Sequence, residues 1–275
     1  MINPAAPPCA TLVYFSPTHT TQKVLRAIAA GMDLGQVVEV NLTTPAARCN
    51  LPPAITSDLL LLGMPVYEEH IPTILLPILN KLSGRGQPAV VVAVYGNVGF
   101  GLALREMADL ASECGFRVVA GAAFTGEHSF SHDKLPVAAG RPDQEDLQTA
   151  ESFGARIAAR LNELPQNQPG NSAAMPGKLP LISRLLPPNS STLFAHLPTV
   201  DPEACIQCGA CARACPAGAI DADSLQIDES KCLRCFACVR ACRAVARVIS
   251  LRNKWISYPF LKVKSKRSHP PVLIL

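Results

Sequence analysis

Eight of the eleven cysteines form a repeated pattern that is suited to binding iron. Segments 201–215 and 228–242 share the spacing C-x2-C-x2-C-x3-C, and their cysteines are offset by 27 residues. Soft thiolates suit iron bound to sulfide, and two-residue gaps allow one tight loop to wrap a cubane cluster. The pattern therefore predicts two [4Fe–4S] clusters and one-electron chemistry.

The fourth cysteine of each segment is expected to bind the cluster of the other segment, because the helix after each loop directs it away. The first cluster is then held by Cys205, Cys208, Cys211 and Cys242, and the second by Cys232, Cys235, Cys238 and Cys215. Two alternatives fit the pattern less well. Paired zinc sites more often combine separated C-x2-C pairs with histidines, and a disulfide framework needs an oxidising compartment.

A second candidate site is the polar loop 16–21, with the sequence SPTHTT, which opens a predicted helix. Its four hydroxyl groups, together with the free N–H groups and the dipole of a helix start, are suited to a phosphate-like anion. The loop has no lysine and does not match a nucleotide P-loop. The alternative interpretation is a helix N-cap with additional hydroxyls.

The first half of the chain alternates apolar runs with helical patterns. Strands are predicted at 11–15, 37–42, 58–63, 89–95 and 117–124, and helices at 22–31, 72–82, 102–114 and 143–161. This alternation predicts an α/β fold with a doubly wound, five-stranded parallel sheet covered on both faces. Ligands of such sheets bind beyond the carboxyl ends of the strands, where loop 16–21 and the loops 63–67 and 95–101 are expected to lie.

The cysteine-rich segment resembles the bacterial two-cluster ferredoxins. Pro216 follows the fourth cysteine of the first segment as in that family, whereas Arg243 stands where the family has a second proline. A cation beside an anionic cluster stabilises its reduced form. We therefore expect Arg243 to raise the potential of the first cluster.

Loop 16–21 is similar to the flavodoxin phosphate loop S/T-x-T-G-x-T, with His19 in place of the glycine. The resemblance implies that FMN binds here, its phosphate held by Ser16, Thr18, His19, Thr20 and Thr21. It also implies that one flavin face packs on Pro65, Val66 and Tyr67, and that Gly96 and Asn97 border the other face and the pyrimidine edge. Tyr67 could stack on the ring.

The whole chain resembles flavodoxin-like domains fused to a two-cluster ferredoxin, a family that is common in anaerobes. The stretches GMPVYEEHIPTILLPIL, VVVAVYGNVGFGLALREMADL, TGEHSF and GRPDQED carry this resemblance together with the cysteines. It implies FMN binding and electron transfer between flavin and clusters, with no settled substrate. The expected organisation is a flavodoxin-like domain at 1–164, a linker at 165–198, a small α+β ferredoxin domain at 199–252 and a basic, aromatic tail at 253–275.

Composition narrows the function classes. The formal net charge is only +4, and anionic cofactors would lower it, so we expect no nucleic-acid partner. No apolar run approaches the roughly 20 residues that span a bilayer, so we expect no transmembrane segment. The first ten residues lack the basic start and apolar stretch of a signal peptide, which favours the reducing cytoplasm.

Two polar features have simpler explanations. Residues 68–70 and the histidines His128 and His132 could transfer protons or bind metal, but solvated loops are the preferred interpretation. The tail carries five cations among three aromatic residues between 254 and 267. It is expected to be a strand or arm that packs across the ferredoxin domain, with nucleic acid, an anionic membrane surface or an acidic redox partner as alternatives.

Three functions fit these observations. The first is an electron-transfer protein that serves a separate redox partner protein. The second is a self-contained flavin-dependent reductase of an unknown small substrate. The third is a regulatory or assembly protein that senses redox state through its clusters.

Overall fold

The computed structural model describes residues 7–52, 54–163, 172–179, 190–252, 254–265 and 269–275. A six-stranded sheet contains β1 (Cys9–Tyr14), β2 (Gln36–Asn41), β3 (Leu59–Pro65), β4 (Pro88–Tyr95), β5 (Arg117–Thr125) and β8 (Val272–Ile274). The strand order is β2-β1-β3-β4-β5-β8, and the first five strands are parallel. The order 2-1-3-4-5 is the flavodoxin-like doubly wound topology, which confirms the predicted fold class.

Helices cover both faces of this sheet. They are α1 (Thr20–Ala30), α2 (Pro45–Arg48), α3 (Leu76–Leu79), α4 (Ala103–Glu113) and α5 (Gln144–Glu163), with a 3-10 turn at Thr73–Leu75. Helices α1 and α5 share one buried cluster with the sheet, and α3 and α4 share the other. At Gly154, an added Cβ would lie 2.0 Å from the carbonyl oxygen of Ile28, so a glycine is required where α5 crosses α1.

The edge strand β2 is more exposed than predicted, because the sequence analysis expects both faces of the sheet to be covered. Val37 and Val38 are 43% and 46% exposed, although their apolar run predicts a covered strand. The reason is the position of β2 at the end of the sheet, where β1 is its one neighbouring strand.

The cysteine-rich segment forms a second, small α+β unit. It contains α6 (Ser191–Phe194), β6 (Thr199–Val200), α7 (Ala210–Arg213), α8 (Ala237–Arg240) and β7 (Arg247–Val248), and β6 pairs antiparallel with β7. The sequence repeat is also a conformational repeat. Positive φ angles recur at the matched positions Gln207 and Arg234, Gly209 and Phe236, and Gly218 and Val245.

The C-terminal tail matches the expected arm across the ferredoxin domain in part: Leu261 packs in a cluster with Phe236 and Leu251 of the cysteine-rich unit, whereas the end of the tail joins the first sheet. The tail begins with helix α9 (Lys254–Ser265) and ends with β8, which pairs antiparallel with β5 of the first sheet. The apolar sequence Val272-Leu273-Ile274 can complete an open sheet edge, and this edge belongs to the first domain.

Part of the predicted linker also packs on the first domain. The Ala173 N–H donates to the Val118 carbonyl at 2.7 Å, and the Met175 side chain joins the core on the α3 and α4 face. The linker residues 165–171 and 180–189 lie outside the described residues. Within the described ranges, no helix is both long enough and apolar enough to cross a membrane.

Candidate functional site

Loop 16–21 connects the carboxyl end of β1 to α1 and is held by its own side chains. The buried Ser16 hydroxyl accepts a hydrogen bond from the Gln22 N–H at 3.1 Å, and the Ser16 N–H donates to the Thr43 hydroxyl at 2.9 Å. Ser16 therefore serves the first turn of α1. This capping role is the alternative that the sequence leaves open for the loop.

Three observations on the remaining loop residues bear on the predicted anion site. His19 has a φ of +64°, the left-handed conformation that a glycine adopts without strain and a histidine adopts at a cost of roughly 1 kcal/mol. The Thr18 and Thr20 hydroxyl oxygens lie 3.5 Å apart. Among the described residues, the buried Thr21 hydroxyl has no hydrogen-bond partner.

The loop after β3 presents Tyr67 to the second domain. Pro65 ends the strand, the Val66 N–H donates to the Val94 carbonyl at 2.9 Å, and Tyr67 exchanges backbone hydrogen bonds with His70. The next two residues, Glu68 and Glu69, have φ angles of +54° and +71°. This backbone bend directs the loop toward the cysteine-rich unit.

The Tyr67 phenol lies beside the sulfur of Cys235. Burial, and then the neighbouring Cys235 sulfur, raise the pKa of Tyr67 well above its usual range. The phenol is therefore protonated and can donate its O–H to the sulfur. The ring also meets Phe15 edge-on, with centroids 6.4 Å apart.

Loop 95–101, which follows β4, is the third loop at the carboxyl edge of the sheet. Asn97 is buried and has a φ of +61°. At Gly96, an added Cβ would lie 2.7 Å from a ring carbon of His128, so this position admits the imidazole because it has no side chain. Loops 16–21, 63–67 and 95–101 thus lie at the carboxyl edge of the sheet as predicted.

The four cysteines predicted for the second cluster lie close together. The Cys215 sulfur interacts electrostatically with Cys235 and Cys238, and Cys232 acts on the same two thiols. The Ala219 N–H donates to the Cys215 sulfur at 3.3 Å. This is the placement of Cys215 that crossed ligation requires. The individual ligand assignments, including that of Cys242 to the first cluster, stay predictions.

Burial and a neighbouring cation act in opposite directions on the charge of these thiols. In the iron-free chain, burial raises the pKa of both Cys235 and Cys238 to about 12. Cluster assembly must therefore displace protons from them. The guanidinium of Arg247 counteracts this effect at Cys238. Arg247 is buried, donates to the Leu225 carbonyl at 2.7 Å, and has two further nitrogens without a partner among the described residues.

A second cation reaches the same cysteines from the first domain. Arg48 donates to the Pro216 carbonyl at 2.9 Å and interacts electrostatically with Cys215. The sequence offers no signal for this contact, because Arg48 lies in a four-residue helix far from the cysteines in the chain. Arg247 likewise carries no motif, although it follows the second repeat closely.

The loop after β5 forms another part of the domain contact. Arg240 forms an ion pair with Glu127 at 3.2 Å and donates to the His128 carbonyl at 3.2 Å. Phe130 meets Phe236 edge-on at 5.5 Å. This loop packs against the cysteine-rich unit, which corrects its interpretation as a solvated loop. Burial and then Arg240 lower the pKa of His128 to about 4, so its imidazole is neutral at physiological pH.

The family comparison identifies the second unit. Residues 197–243 match the family model for a 4Fe-4S dicluster domain. This match supports two [4Fe–4S] clusters as the metal groups of the chain. No curated protein matches the chain.

Solved structures of flavodoxins resemble the first domain. A flavodoxin from the domain Archaea is 16% identical with a TM-score of 0.40, and the match covers 56% of this chain and 99% of that one. Flavodoxin 2 from Bacillus cereus is 16% identical with a TM-score of 0.42, covering 55% and 98%. The Fusobacterium nucleatum flavodoxin bound to flavin mononucleotide is 15% identical with a TM-score of 0.40, covering 56% and 98%. The fold assignment of this domain follows from its own strand order.

Proposed function

We propose that this chain, which joins a flavodoxin-like α/β domain to a 4Fe–4S dicluster domain, carries electrons between FMN and its two clusters. The observation that carries the proposal is the contact of the loop after β3 with the cysteine-rich unit: Tyr67 and Leu233 pack on the same core cluster, and the Tyr67 phenol lies beside the Cys235 sulfur. One residue of this pair belongs to a loop at the ligand edge of the sheet, and the other is a predicted cluster ligand. Flavin and cluster sites would therefore be neighbours.

The first domain supplies a fitting site for FMN. Thr18, Thr20 and Thr21 offer hydroxyls at the start of α1, where the helix dipole favours a phosphate. The left-handed His19 reproduces the backbone turn for which the flavodoxin loop uses glycine. Tyr67 on one side and Gly96 with Asn97 on the other would border the ring.

Bound FMN would exchange electron pairs with a partner and single electrons with the clusters. The chain's own residues position these groups. The Tyr67 phenol lies beside Cys235, and Arg48 and Arg247 place positive charge beside the predicted ligands Cys215 and Cys238. The domain contact formed by Arg240 with Glu127 holds the two sites together.

The proposed setting is the cytoplasm, with a separate protein as redox partner. Surface-accessible free thiols such as that of Cys49 and thiolate-bound clusters suit a reducing compartment. Among the functions that the sequence leaves open, this structure specifically favours electron transfer, because its most distinctive contact joins the two predicted cofactor sites.

The first experiment is a composition analysis of protein purified without oxygen. The proposal predicts about eight irons, about eight labile sulfides and about one FMN per chain. Iron and sulfide at that ratio without any flavin, after incubation with excess FMN, would refute the flavin part of the proposal. Flavin without sulfide would refute the cluster part.

A further inference from the structure

Helix α9 (Lys254–Ser265) has one face that anchors it to the protein. Ser257 and Leu261 are 1% and 4% exposed, and Leu261 packs in a cluster with Phe130 and Phe236. The Tyr258 hydroxyl lies 3.4 Å from the Nε2 atom of His132. These contacts fix which side of the helix faces outward.

The outward side carries apolar residues. Trp255 is 93% exposed and Val263 is 55% exposed, and Pro259 between them is also exposed. With 3.6 residues per turn, these three positions fall within one narrow arc of the helix, opposite Ser257 and Leu261. An almost fully exposed tryptophan on a well-anchored helix indicates an interaction surface.

The Lys and Arg side chains of residues 251–275 are accompanied by no acidic side chain. Residues 251–275 contain no aspartate or glutamate, and they contain six cations: Arg252, Lys254, Lys262, Lys264, Lys266 and Arg267. The remainder of the chain carries all 21 acidic residues. The region can therefore approach a negative surface without local repulsion.

We propose that α9 docks the protein on an anionic lipid surface, with Trp255 and Val263 at headgroup depth and the exposed Arg252 and Lys262 on the lipid phosphates. Tryptophan beside basic residues on one amphipathic helix is typical of interfacial binding. Clusters of four to eight Lys and Arg are typical of anionic-lipid recognition; α9 carries three lysines, and the whole segment 251–275 carries six cations.

An acidic protein surface is the competing occupant. Four of the six cations are lysines, and lysine is depleted in protein–protein interfaces, where arginine is enriched. The composition therefore favours lipid. The proposal is independent of the flavin and of the electron path.

The test is co-sedimentation of the anaerobically purified holoprotein with vesicles. Vesicles of phosphatidylcholine with phosphatidylserine should retain the protein, vesicles of phosphatidylcholine alone should retain it at least tenfold more weakly, and added salt should release it. Trp255 is the only tryptophan, so its emission should shift to shorter wavelength on the anionic vesicles. Equal binding to both vesicle types, or no binding to either, would overturn the proposal.

Paired variants test whether vesicle binding depends on α9 and its neighbouring cations or on any positive charge at the protein surface. Trp255→Ala should weaken vesicle binding about tenfold, because an apolar anchor is lost. Arg252→Gln with Lys262→Gln should weaken it by a similar factor. The matched control, Lys81→Gln with Arg85→Gln, removes two cations that are exposed on the first domain and should leave binding unchanged. Weakening by the control to the same extent as the tail variants would also overturn the proposal, since any surface charge would then suffice.

Discussion

At the scale of residues, the electrostatics around the second cluster come from side chains that surround its thiolates. The Tyr67 phenol lies beside the Cys235 sulfur, to which it can donate, and Arg247 acts on Cys238. Hydrogen bonds and positive charges near cluster sulfurs stabilise the more negative, reduced state. The cysteine spacing alone predicts the clusters. These two modulators become visible only in the folded chain.

Tyr67→Phe should lower the potential of the second cluster and leave that of the first unchanged. The phenyl ring keeps the packing against Phe15, whereas the hydroxyl beside the Cys235 sulfur is lost. A hydrogen bond with a net contribution of about 1 kcal/mol corresponds to roughly 40 mV in a one-electron couple. Redox titration followed by electron paramagnetic resonance measures both potentials.

Tyr14→Phe is the matched control for this variant. It also removes one phenol hydroxyl, but that hydroxyl contacts Glu39 and Gln22 at the edge of the sheet. Its cluster potentials should equal those of the parent protein. If the second cluster has the same potential in Tyr67→Phe as in the parent protein, the Tyr67 hydroxyl does not influence that cluster.

Arg247→Gln should lower a cluster potential more than Arg243→Gln. Arg247 is buried and acts on Cys238, whereas Arg243 is exposed, so solvent screens its charge. The expected shift for Arg247→Gln is on the order of 50 mV, and that for Arg243→Gln is smaller and confined to the first cluster. A larger shift from Arg243, with full iron content in both variants, would contradict this ranking.

At the scale of elements, the carboxyl edge of the parallel sheet brings together loops that are distant in sequence. All five parallel strands were predicted from apolar runs, and their observed ends differ by two residues or fewer from the predicted ones. The sequence analysis predicts neither strand β8 nor helix α9. In the case of β8, three apolar residues do not reveal which open sheet edge they will join. Ser16 was grouped with the anion-binding hydroxyls, whereas the structure uses its hydroxyl to cap α1.

Thr18→Ala combined with Thr21→Ala should weaken FMN binding at least tenfold, because two hydroxyls near the phosphate are lost. The parent should bind FMN much more tightly than riboflavin, which has no phosphate. In the double variant this preference should shrink. Fluorescence titration of the apoprotein with each flavin measures the four dissociation constants. Equal affinity of the parent for both flavins would contradict the prediction of a phosphate site in this loop.

The loop after β5 should make stability depend on pH. The pKa of His128 is about 4 in the folded chain and about 6.5 when unfolded, so the unfolded state binds more protons as pH falls below 6.5. The stability contributed by the neutral His128 is therefore fully present above pH 6.5 and decreases as the pH falls toward 4. Between pH 7.5 and 5.5 the loss should be about 1.3 kcal/mol.

Anaerobic chemical denaturation at these two pH values tests this prediction. His128→Asn should remove most of the difference, because asparagine does not titrate. His132→Asn, on the same loop, should retain it. A parent protein whose unfolding free energy is the same at both values would contradict the assigned role of His128.

At the scale of the whole molecule, the two domains meet where their predicted cofactor sites lie. Arg48 contacts Pro216, Tyr67 contacts Cys235, and Arg240 contacts Glu127 and His128. None of these pairs could be predicted from sequence patterns, because each motif reports on its own local structure and carries no information about docking. Under the proposed function, this docking would give a short path between flavin and clusters within one chain.

The most direct test of this account follows an electron inside one molecule. Anaerobic protein containing FMN and both clusters is reduced photochemically with less than one electron per chain, and flavin absorbance and cluster resonance signals are recorded over time. We predict that electrons redistribute between flavin and clusters at a first-order rate that is independent of protein concentration. A rate proportional to protein concentration, or no redistribution in fully loaded protein, would contradict electron transfer within the chain.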